Sequence, residues 1–390
     1  MFEAKTMSNS SDFFILDTDC KHPIQTECSR AVWIWKFVPI ILLGLGTCCN
    51  IFNFKVLSRK RLRAYSTTVY LLFLAGSDLT FLFTLVSTNF FRRNNGFDIK
   101  NLSIFNCVVH RWLFYTSAGF SAWLRVFVTL QKTFLTTRPA YPRNNLTRKK
   151  SVIISVSCLI LLSVSSGHLL FYELRPASQT DLRNGTTQTT DSSFVCVPQA
   201  DALQSDFFKQ WRILIFAVYF ILPFITIIIG NILTAANLIR KFIQPLRNLR
   251  LYPDGQSEAQ IVLDRQLTSE AKMSLFVCLF ILVTYIPFIT FTVIKRDNFT
   301  EVTDEKLYAR IQLTQAILQM MLYCNFTFNF WSYFVIGKFF REECDQTFTS
   351  LRRRFATFRN RLWNDGDTSS QAESSGSQPP VVLVRFNGSI

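Results

Sequence analysis

Residues Trp211 to Ile239 read WRILIFAVYFILPFITIIIGNILTAANLI, and only Arg212 among them carries a charge. A helix needs about 20 apolar residues to cross a bilayer, and irregular chain cannot cross it because its backbone polar groups would lack partners. Helices of a soluble protein would show a polar face. The sequence therefore predicts an all-α membrane protein, a bundle of seven transmembrane helices. The seven blocks are Val32–Leu57, Thr67–Phe90, Phe105–Thr136, Ser151–Tyr172, Trp211–Ile239, Met273–Ile294 and Leu307–Ile336.

The distribution of charge fits a membrane protein better than a nucleic-acid-binding protein. Hydrophobic residues make up 49% of the sequence and charged residues 17%, and the net charge is +16. Ser58–Ser66 and Thr137–Lys150 hold basic residues and no acid, whereas the opposite loops mix both signs. Cytoplasmic loops carry an excess of Lys and Arg. We therefore expect a multi-pass protein of the plasma membrane with its N-terminus outside, and the lipid bilayer rather than nucleic acid as its partner.

The sequence predicts one membrane domain between two tails. The expected boundaries are 1–31 for an extracellular tail, 32–349 for the seven-helix domain and 350–390 for a cytoplasmic tail that is first basic and then disordered. Lys338–Thr349 has an amphipathic pattern, with Phe348 on its apolar side, which predicts a short helix on the inner leaflet. Cys344 beside it is a candidate for palmitoylation.

Sequons and cysteines mark the predicted outer side. The sequons that are expected to carry sugar are Asn9, Asn184 and Asn298. Disulfides can form on that side. The cysteines that fall there are Cys20, Cys28, Cys107 and Cys196. A Cys20–Cys28 bridge is expected within the tail.

A set of short motifs lies in order along the predicted spans. They are Gly46-Thr-Cys-Cys-Asn50, Leu74-Ala-Gly-Ser-Asp78, Cys107, Pro223, Tyr285-Ile-Pro287 and Asn329-Phe-Trp-Ser-Tyr333. Each motif is weak alone, but the ordered set is specific. From about Val32 to Phe348 the chain resembles the rhodopsin-like (class A) G-protein-coupled receptors. The resemblance implies a receptor that binds an extracellular ligand and signals to heterotrimeric G proteins, with no catalytic residues.

The resemblance also implies roles for individual residues. Cys107 and Cys196 would form a disulfide, and Pro223 and Pro287 would kink two helices that swing to open an inner cavity. The residues expected around the buried acid Asp78 are Asn50, Ser121, Asn325 and Asn329. Such a cluster would either hold a sodium ion or join helices as a polar network, and both interpretations stay open.

The inner end of the third helix departs from the family pattern. The family has Asp-Arg-Tyr where this chain has Gln131-Lys132-Thr133. Lys keeps the charge of Arg but lacks its planar five-donor group. The residues expected to act in activation are Gln131, Lys132, Thr133, Pro223, Pro287 and Tyr333. The alternatives are a receptor fold that no longer signals, acting as a decoy or scaffold, and a seven-helix channel or transporter.

Arg125 lies deep in the third predicted span, seven residues and about 10–11 Å before Lys132. A guanidinium stays charged there and needs a partner. Ser121 stands one turn away on the same face, and the resemblance puts Asp78 beside Ser121. We predict that Arg125 pairs with Asp78 in place of a sodium ion, which makes the receptor insensitive to sodium and raises its basal activity. The alternative is an Arg125 that reaches lipid headgroups or another carbonyl.

Two residues argue against an amine or a retinal as the ligand, which some members of the family that the chain resembles bind. Phe114 stands where amine receptors carry Asp, and Tyr323 stands where opsins carry the retinal lysine. The short N-terminal tail has no room for a large hormone-binding domain. A short peptide or a lipid remains. The sequence contains no enzyme signature, metal-ligand set or cofactor motif.

Aromatic and polar residues in the outer half favour a peptide. Tyr and Trp combine apolar area with a polar handle, which suits an amidated peptide. The pattern around Trp123-Leu124, together with Asn-Phe-x-x-Tyr, is most similar to FMRFamide-type neuropeptide receptors. The expected ligand contacts are Arg111, Tyr115, Tyr219, Tyr285, Gln315 and Gln319.

Overall fold

The computed structural model describes residues 26–63, 65–96, 98–137, 147–176, 194–198, 206–248, 258–298, 305–337 and 340–357. Its long helices are α1 (Thr26–Leu57), α2 (Ser66–Asn95), α3 (Ile104–Thr137), α4 (Arg148–Leu170), α5 (Asp206–Phe216, Ala217–Ile221 and Leu222–Asn248), α6 (Glu258–Asn298), α7 (Glu305–Thr327 and Asn329–Ile336) and α8 (340–357). Short helical turns lie at Lys60–Arg63 and Ile99–Asn101, and two strands form a sheet, β1 (Tyr172–Pro176) and β2 (Phe194–Pro198). The chain divides into two compact units, Met1–Arg341 and Glu342–Ile390.

The first seven helices pack as a bundle around α3. Helix α3 contacts α2, α4, α5 and α6, while α1 packs against α2 and α7, and α6 packs against α5 and α7. Six of these helices are long and apolar enough to cross a membrane. Helix α7 is more polar because it carries the amides Gln312, Gln315 and Gln319, all of them buried. Polar residues that face other helices lower the hydropathy of a span without exposing it to lipid, and the predicted seven-helix bundle is confirmed.

A π-helical turn of α5 ends just before Pro223. The N–H of Leu222 bonds to the carbonyl of Ala217. In the same pattern the carbonyl of Val218 would need the N–H that Pro223 lacks. Trp123 of α3 donates its indole N–H to that carbonyl at 3.1 Å. A side chain of α3 therefore satisfies the acceptor that the proline leaves free.

Helix α6 is much longer than the predicted span Met273–Ile294. It has 41 residues and is about 60 Å long, twice the hydrocarbon thickness of about 30 Å. Pro287 lies inside it without ending it. Hydropathy finds the part of a helix that lies in lipid, and the more polar residues 258–272 continue the same helix beyond that part.

A β-hairpin departs from the predicted all-α structure. Strands β1 and β2 pair antiparallel, with Leu174 opposite Cys196. The sequence indicated only a long outer loop, Glu173–Gln210, because neither strand exceeds five residues.

Helix α8 continues past the predicted end at Thr349. Its buried residues Phe340, Cys344 and Thr347 recur every three to four positions, whereas Phe348 is exposed rather than on the buried side. Burial raises the pKa of the Cys344 thiol to about 12. Palmitoylation of Cys344 stays a prediction.

Candidate functional site

A polar cluster surrounds Asp78 of α2 at the centre of the bundle. The Asp78 side chain is fully buried. Ser121 of α3 donates its hydroxyl proton to Asp78 Oδ1 at 2.6 Å, and Asn329 of α7 donates an amide N–H to Oδ2 at 2.5 Å. Both carboxylate oxygens accept hydrogen bonds from other helices, which compensates for their removal from water.

Arg125 supplies the positive charge of this cluster. Its Nη2 lies 3.5 Å from Asp78 Oδ1, and its Nη1 donates to the Ser121 hydroxyl at 2.5 Å. Nη2 also donates to the carbonyl of Asn325 at 3.2 Å, and the guanidinium lies 5.5 Å from the centre of the Phe326 ring. Ser121 links the two charges because its hydroxyl accepts from Arg125 and donates to Asp78. The predicted contact between Arg125 and Asp78 is therefore confirmed, and its effect on sodium stays a prediction.

The hydrogen bonds described for Asn50 go to main-chain carbonyls rather than to Asp78. It donates its amide N–H groups to the carbonyls of Gly46 and Phe326, each at 2.9 Å. Asn50 therefore joins α1 to the backbone of α7. Its Oδ1 is buried without a hydrogen-bond partner in the described part of the chain.

Asn325 contributes its main chain rather than its side chain to the cluster. Its amide donates to the hydroxyl of Thr284 on α6, so this side chain joins α7 to α6. Only its carbonyl reaches Arg125. Among the described residues Arg125 Nε has no hydrogen-bond partner and is buried.

Two cavities lie between Arg125 and the C-terminal end of α3. Both are lined by Lys132 and Tyr333. The first, of about 30 Å³, is also lined by Arg125. The second, of about 80 Å³, is also lined by Arg61 and Ser269. Each cavity has room for a water molecule. We call this end of the bundle the Lys132 end.

Gln131 and Thr133 fix α3 to its neighbours at the Lys132 end. Gln131 Nε2 donates to the Ser66 hydroxyl of α2 at 2.5 Å. Thr133 Oγ1 donates to the carbonyl of Gly230 on α5 at 2.9 Å and lies 3.0 Å from Thr234 Oγ1. The two residues beside Lys132 thus hold α3 against different helices, a role that the sequence did not indicate.

Single hydroxyl groups hold α6 at the same end. Ser269 Oγ donates to the carbonyl of Ile336 on α7 at 3.2 Å, and Ser274 Oγ donates to Asn231 Oδ1 on α5 at 3.1 Å. Small hydroxyl residues in apolar spans often join helices, and that general signal was the only one in the sequence that could have found them.

Cys107 and Cys196 form the predicted disulfide at the opposite end, which we call the disulfide end. Arg111 donates from Nη2 to the carbonyl of Cys196 at 3.1 Å and from Nε to its sulfur at 3.3 Å. The same guanidinium lies 4.4 Å from the centre of the Tyr172 ring. Asn101 Oδ1 accepts the main-chain N–H of Cys196 at 3.1 Å. The hairpin is therefore held to α3 by covalent and polar contacts together.

The predicted ligand contacts on α3 and α7 lie in different surroundings. Half-buried Tyr115 packs, like Arg111, at the disulfide cluster. Gln319 is buried on α7 and donates to the Tyr323 hydroxyl at 3.1 Å. Asn89 of α2 donates to the same hydroxyl at 2.6 Å. Gln315 is buried one turn from Gln319, and Tyr285 of α6 is half-buried.

Tyr219 serves the packing of α5 instead. It is fully buried, and its hydroxyl donates to the carbonyl of Leu162 on α4 at 2.6 Å. The hydroxyls of Ser165 and Ser166 lie 2.7 Å and 2.8 Å away. Its ring fills the space over Gly119, where a Cβ would meet the ring at 2.6 Å. The Tyr219 hydroxyl therefore joins α5 to α4 in this structure, and its contact with a ligand stays a prediction.

Several predictions lie outside the described residues. Asn9, Asn184 and Cys20 are among them, and Asn298 is the last residue of α6. Cys28 is disulfide-bonded. The expected Cys20–Cys28 bridge stays a prediction.

A family model of the seven-transmembrane receptors (rhodopsin family) matches residues 50–333, more than half of the chain. None of the curated proteins compared with the chain matches it. The matched region begins at Asn50 and ends at Tyr333, and it contains Asp78, the Cys107–Cys196 disulfide and Lys132. Members of this family are G-protein-coupled receptors and not enzymes. The chain belongs to the rhodopsin family of seven-transmembrane receptors.

Proposed function

We propose that this receptor binds a short peptide at its disulfide end, outside the cell, and engages its G protein at the Lys132 end. The orientation is supported by charge. Arg59, Lys60, Arg61 and Arg63 follow α1, and Arg148, Lys149 and Lys150 begin α4, all at the Lys132 end. Such basic clusters favour the cytoplasmic side.

The observation that carries the peptide proposal is the outer edge of strand β1, which pairs with β2 alone among the described residues. Leu174 pairs with Cys196 in the sheet. The N–H and C=O of Cys196 bond to Asn101 and Arg111, so they point away from β1. In an antiparallel pair the main-chain groups of the opposite residue then also point outward. Among the described residues no other strand pairs with β1, so the Leu174 N–H and C=O lie at an edge to which an extended peptide can add as a further strand.

Side chains of the disulfide end would then recognise the peptide. We retain Arg111, Tyr115, Tyr285, Gln315 and Gln319 as candidate contacts. Aromatic and amide groups suit peptide bonds and terminal amides. The similarity to FMRFamide-type receptors makes amidated peptides with aromatic and basic residues the first class to test.

The charges of the disulfide end add a second criterion. Basic residues predominate among those described there, namely Arg30, Arg92, Arg93, Lys100, Arg111, Lys306 and Arg310 against Glu27, Asp98 and Glu173. A basic peptide would need acidic partners from the loops, whereas an acidic peptide would find basic partners in the helices. The peptides tested should therefore include acidic sequences.

The experiment measures nucleotide exchange by G proteins in membranes that hold the full chain, with a library of amidated peptides. We expect at least one peptide to raise exchange. In Leu174→Pro the edge N–H is lost, and the potency of that peptide should fall about tenfold, as for one or two hydrogen bonds. Leu174→Ala keeps the N–H and is the matched control. Equal potency in both variants would contradict the edge-strand proposal.

Binding of a peptide without any nucleotide exchange would favour the decoy alternative. The buried cation Lys132 argues for signalling, because it stands at the end of α3 where the family has arginine and lines the two cavities with Tyr333.

A further inference from the structure

A groove of about 760 Å³ runs along the side of the bundle between α2, α3 and α4. Its wall is mostly apolar and includes Phe73, Phe120 and Leu159. Gly76 lies in this wall and is exposed, and a Cβ placed on it would meet nothing within 4 Å. The groove therefore opens toward lipid, and its volume is within the range of small-molecule sites.

The hydroxyl of Thr116 marks one level of this groove. Thr116 lines it, is 95% buried, and its Oγ1 has no hydrogen-bond partner in the described part of the chain. Threonine in a helix usually donates to the carbonyl four residues earlier, as Thr80 and Thr133 do. Thr116 does not, so a buried donor is left for a group outside the protein.

The side chain of Arg148 lies at the other end of the groove and is positively charged. Arg148 is the first residue of α4, is exposed, and lines the same groove. Trp112 of α3 donates to the carbonyl of Ser163 on α4 at 3.0 Å, which sets the two antiparallel helices in register. Thr116 lies four residues after Trp112 on α3, and Leu159 lies four residues before Ser163 on α4. Because the helices are antiparallel, Thr116 and Leu159 lie at the same level. Arg148 is eleven residues away from Leu159, or about 16 Å along the helix axis.

From this arrangement we propose that the groove binds a single-chain anionic lipid with an oxygen atom in the distal half of its tail. The carboxylate pairs with Arg148, the tail lies on the aromatic wall beside Gly76, and the distal oxygen accepts a hydrogen bond from Thr116. A plain fatty acid would leave the Thr116 hydroxyl without an acceptor. A neutral ester would leave Arg148 without its anion. The chemical class is therefore a hydroxy or keto fatty acid.

The probe is isotope-labelled 12-hydroxyoctadecanoate, whose hydroxyl lies about two-thirds of the way along the tail. Saturation binding is measured on the purified full chain in phosphatidylcholine nanodiscs, with octadecanoate and methyl 12-hydroxyoctadecanoate as competitors. We expect the hydroxy acid to bind about fivefold more tightly than octadecanoate, as for one hydrogen bond, and about tenfold more tightly than the ester, as for a bond to a charged group.

Each variant removes one part of the site. Thr116→Val should abolish the preference over octadecanoate, and Arg148→Gln should abolish the preference over the ester. Gly76→Leu should abolish saturable binding of all three compounds, because it fills the groove without meeting protein atoms. Gly44→Leu is the matched control, since Gly44 is also exposed on a helix with nothing within 4 Å of its Cβ.

Three results would overturn the proposal. One is equal binding of the hydroxy acid and octadecanoate to the unaltered chain. Another is saturable binding that survives Gly76→Leu. The third is binding that is lost equally in Gly76→Leu and Gly44→Leu, which would mean that the groove holds only bulk lipid.

Discussion

The two ends of the bundle are held together by different kinds of contact. At the disulfide end a covalent bond joins Cys107 to Cys196, and Arg111 adds two hydrogen bonds to the same cysteine. At the Lys132 end the described contacts between α6 and its neighbours include single hydroxyl donors, Ser269 to α7 and Ser274 to α5. One end is cross-linked, and the hydroxyl bonds described for α6 at the other end are each worth about 1 kcal/mol.

This difference indicates where the receptor can move. A two-state change needs an element with two arrangements of similar free energy. At the Lys132 end the contacts described for helix α6 include the single hydroxyl donors Ser269 and Ser274, and we expect α6 to be the element that moves there. The disulfide end keeps its hairpin fixed to α3 during such a change, and the charged cluster of Asp78 and Arg125 lies between the two ends.

The largest effect is expected from opening the disulfide end. Cys196→Ser removes a cross-link with a sequence separation of 89 residues. On the chain-entropy model the loss of the cross-link lowers the free energy of unfolding by about 4 kcal/mol. The equilibrium then shifts roughly thousandfold toward the unfolded protein. Surface expression should fall sharply. Cys48→Ser, at a free and exposed cysteine, is the control. Normal surface levels of Cys196→Ser would mean that the polar contacts of Arg111 suffice.

The next effect concerns the Lys132 end. Lys132→Ala should reduce G-protein nucleotide exchange about thirtyfold at unchanged surface expression, as for the loss of roughly 2 kcal/mol from one charged hydrogen bond. Lys132→Arg is the matched control, because it keeps the charge and adds the donors of a guanidinium. Exchange by Lys132→Ala at the level of the unaltered chain would remove Lys132 from the coupling site.

The parts that could be predicted from the sequence are those fixed by local composition or by an ordered motif. Apolar blocks gave the spans, and the motif set led to the Cys107–Cys196 disulfide and to Arg125 beside Asp78. The hairpin, the π turn before Pro223 and the bond from Trp123 were not predicted, because each depends on a partner far along the chain.

Side-chain direction limited the prediction of the site. Asn50, Asn325 and Tyr219 also bond to partners that the sequence did not indicate, namely the Phe326 carbonyl, the Thr284 hydroxyl and the Leu162 carbonyl. The position of a residue in a helix indicates only roughly which way its side chain points. A modest rotation of the helix is enough for that side chain to face a neighbouring helix instead of the centre of the bundle. Ser269 and Ser274 carried no distinctive motif.

A smaller effect is expected from the charged cluster between the ends. Arg125→Leu leaves Asp78 buried without its cation, and sodium should then bind there. Sodium chloride should raise the melting temperature of purified Arg125→Leu relative to choline chloride, and it should leave the unaltered chain unchanged. Basal nucleotide exchange should fall about tenfold, or roughly 1.4 kcal/mol, because an apolar side chain excludes water from the first cavity.

Asp78→Asn combined with Arg125→Leu is the control, since it removes the carboxylate that would hold the ion. A sodium effect that persists in the double variant would have to arise elsewhere. A sodium effect in the unaltered chain would mean that the guanidinium does not occupy the position of the ion.

The smallest effect tests the hydroxyl contacts of α6 themselves. Ser274→Ala removes the bond to Asn231 Oδ1, and Ser269→Ala removes the bond to the Ile336 carbonyl. Each loss of about 1 kcal/mol should raise basal exchange roughly fivefold by releasing α6. Ser87→Ala is the control, because the hydrogen bond described for its hydroxyl stays within its own helix near the disulfide end. Ser274→Ala leaves a buried amide oxygen unpaired, and a low surface level would reveal that penalty separately from signalling. If both variants keep the basal exchange of the unaltered chain at equal surface level, the Lys132 end is not held by these contacts, and the contrast with the disulfide end must have another origin.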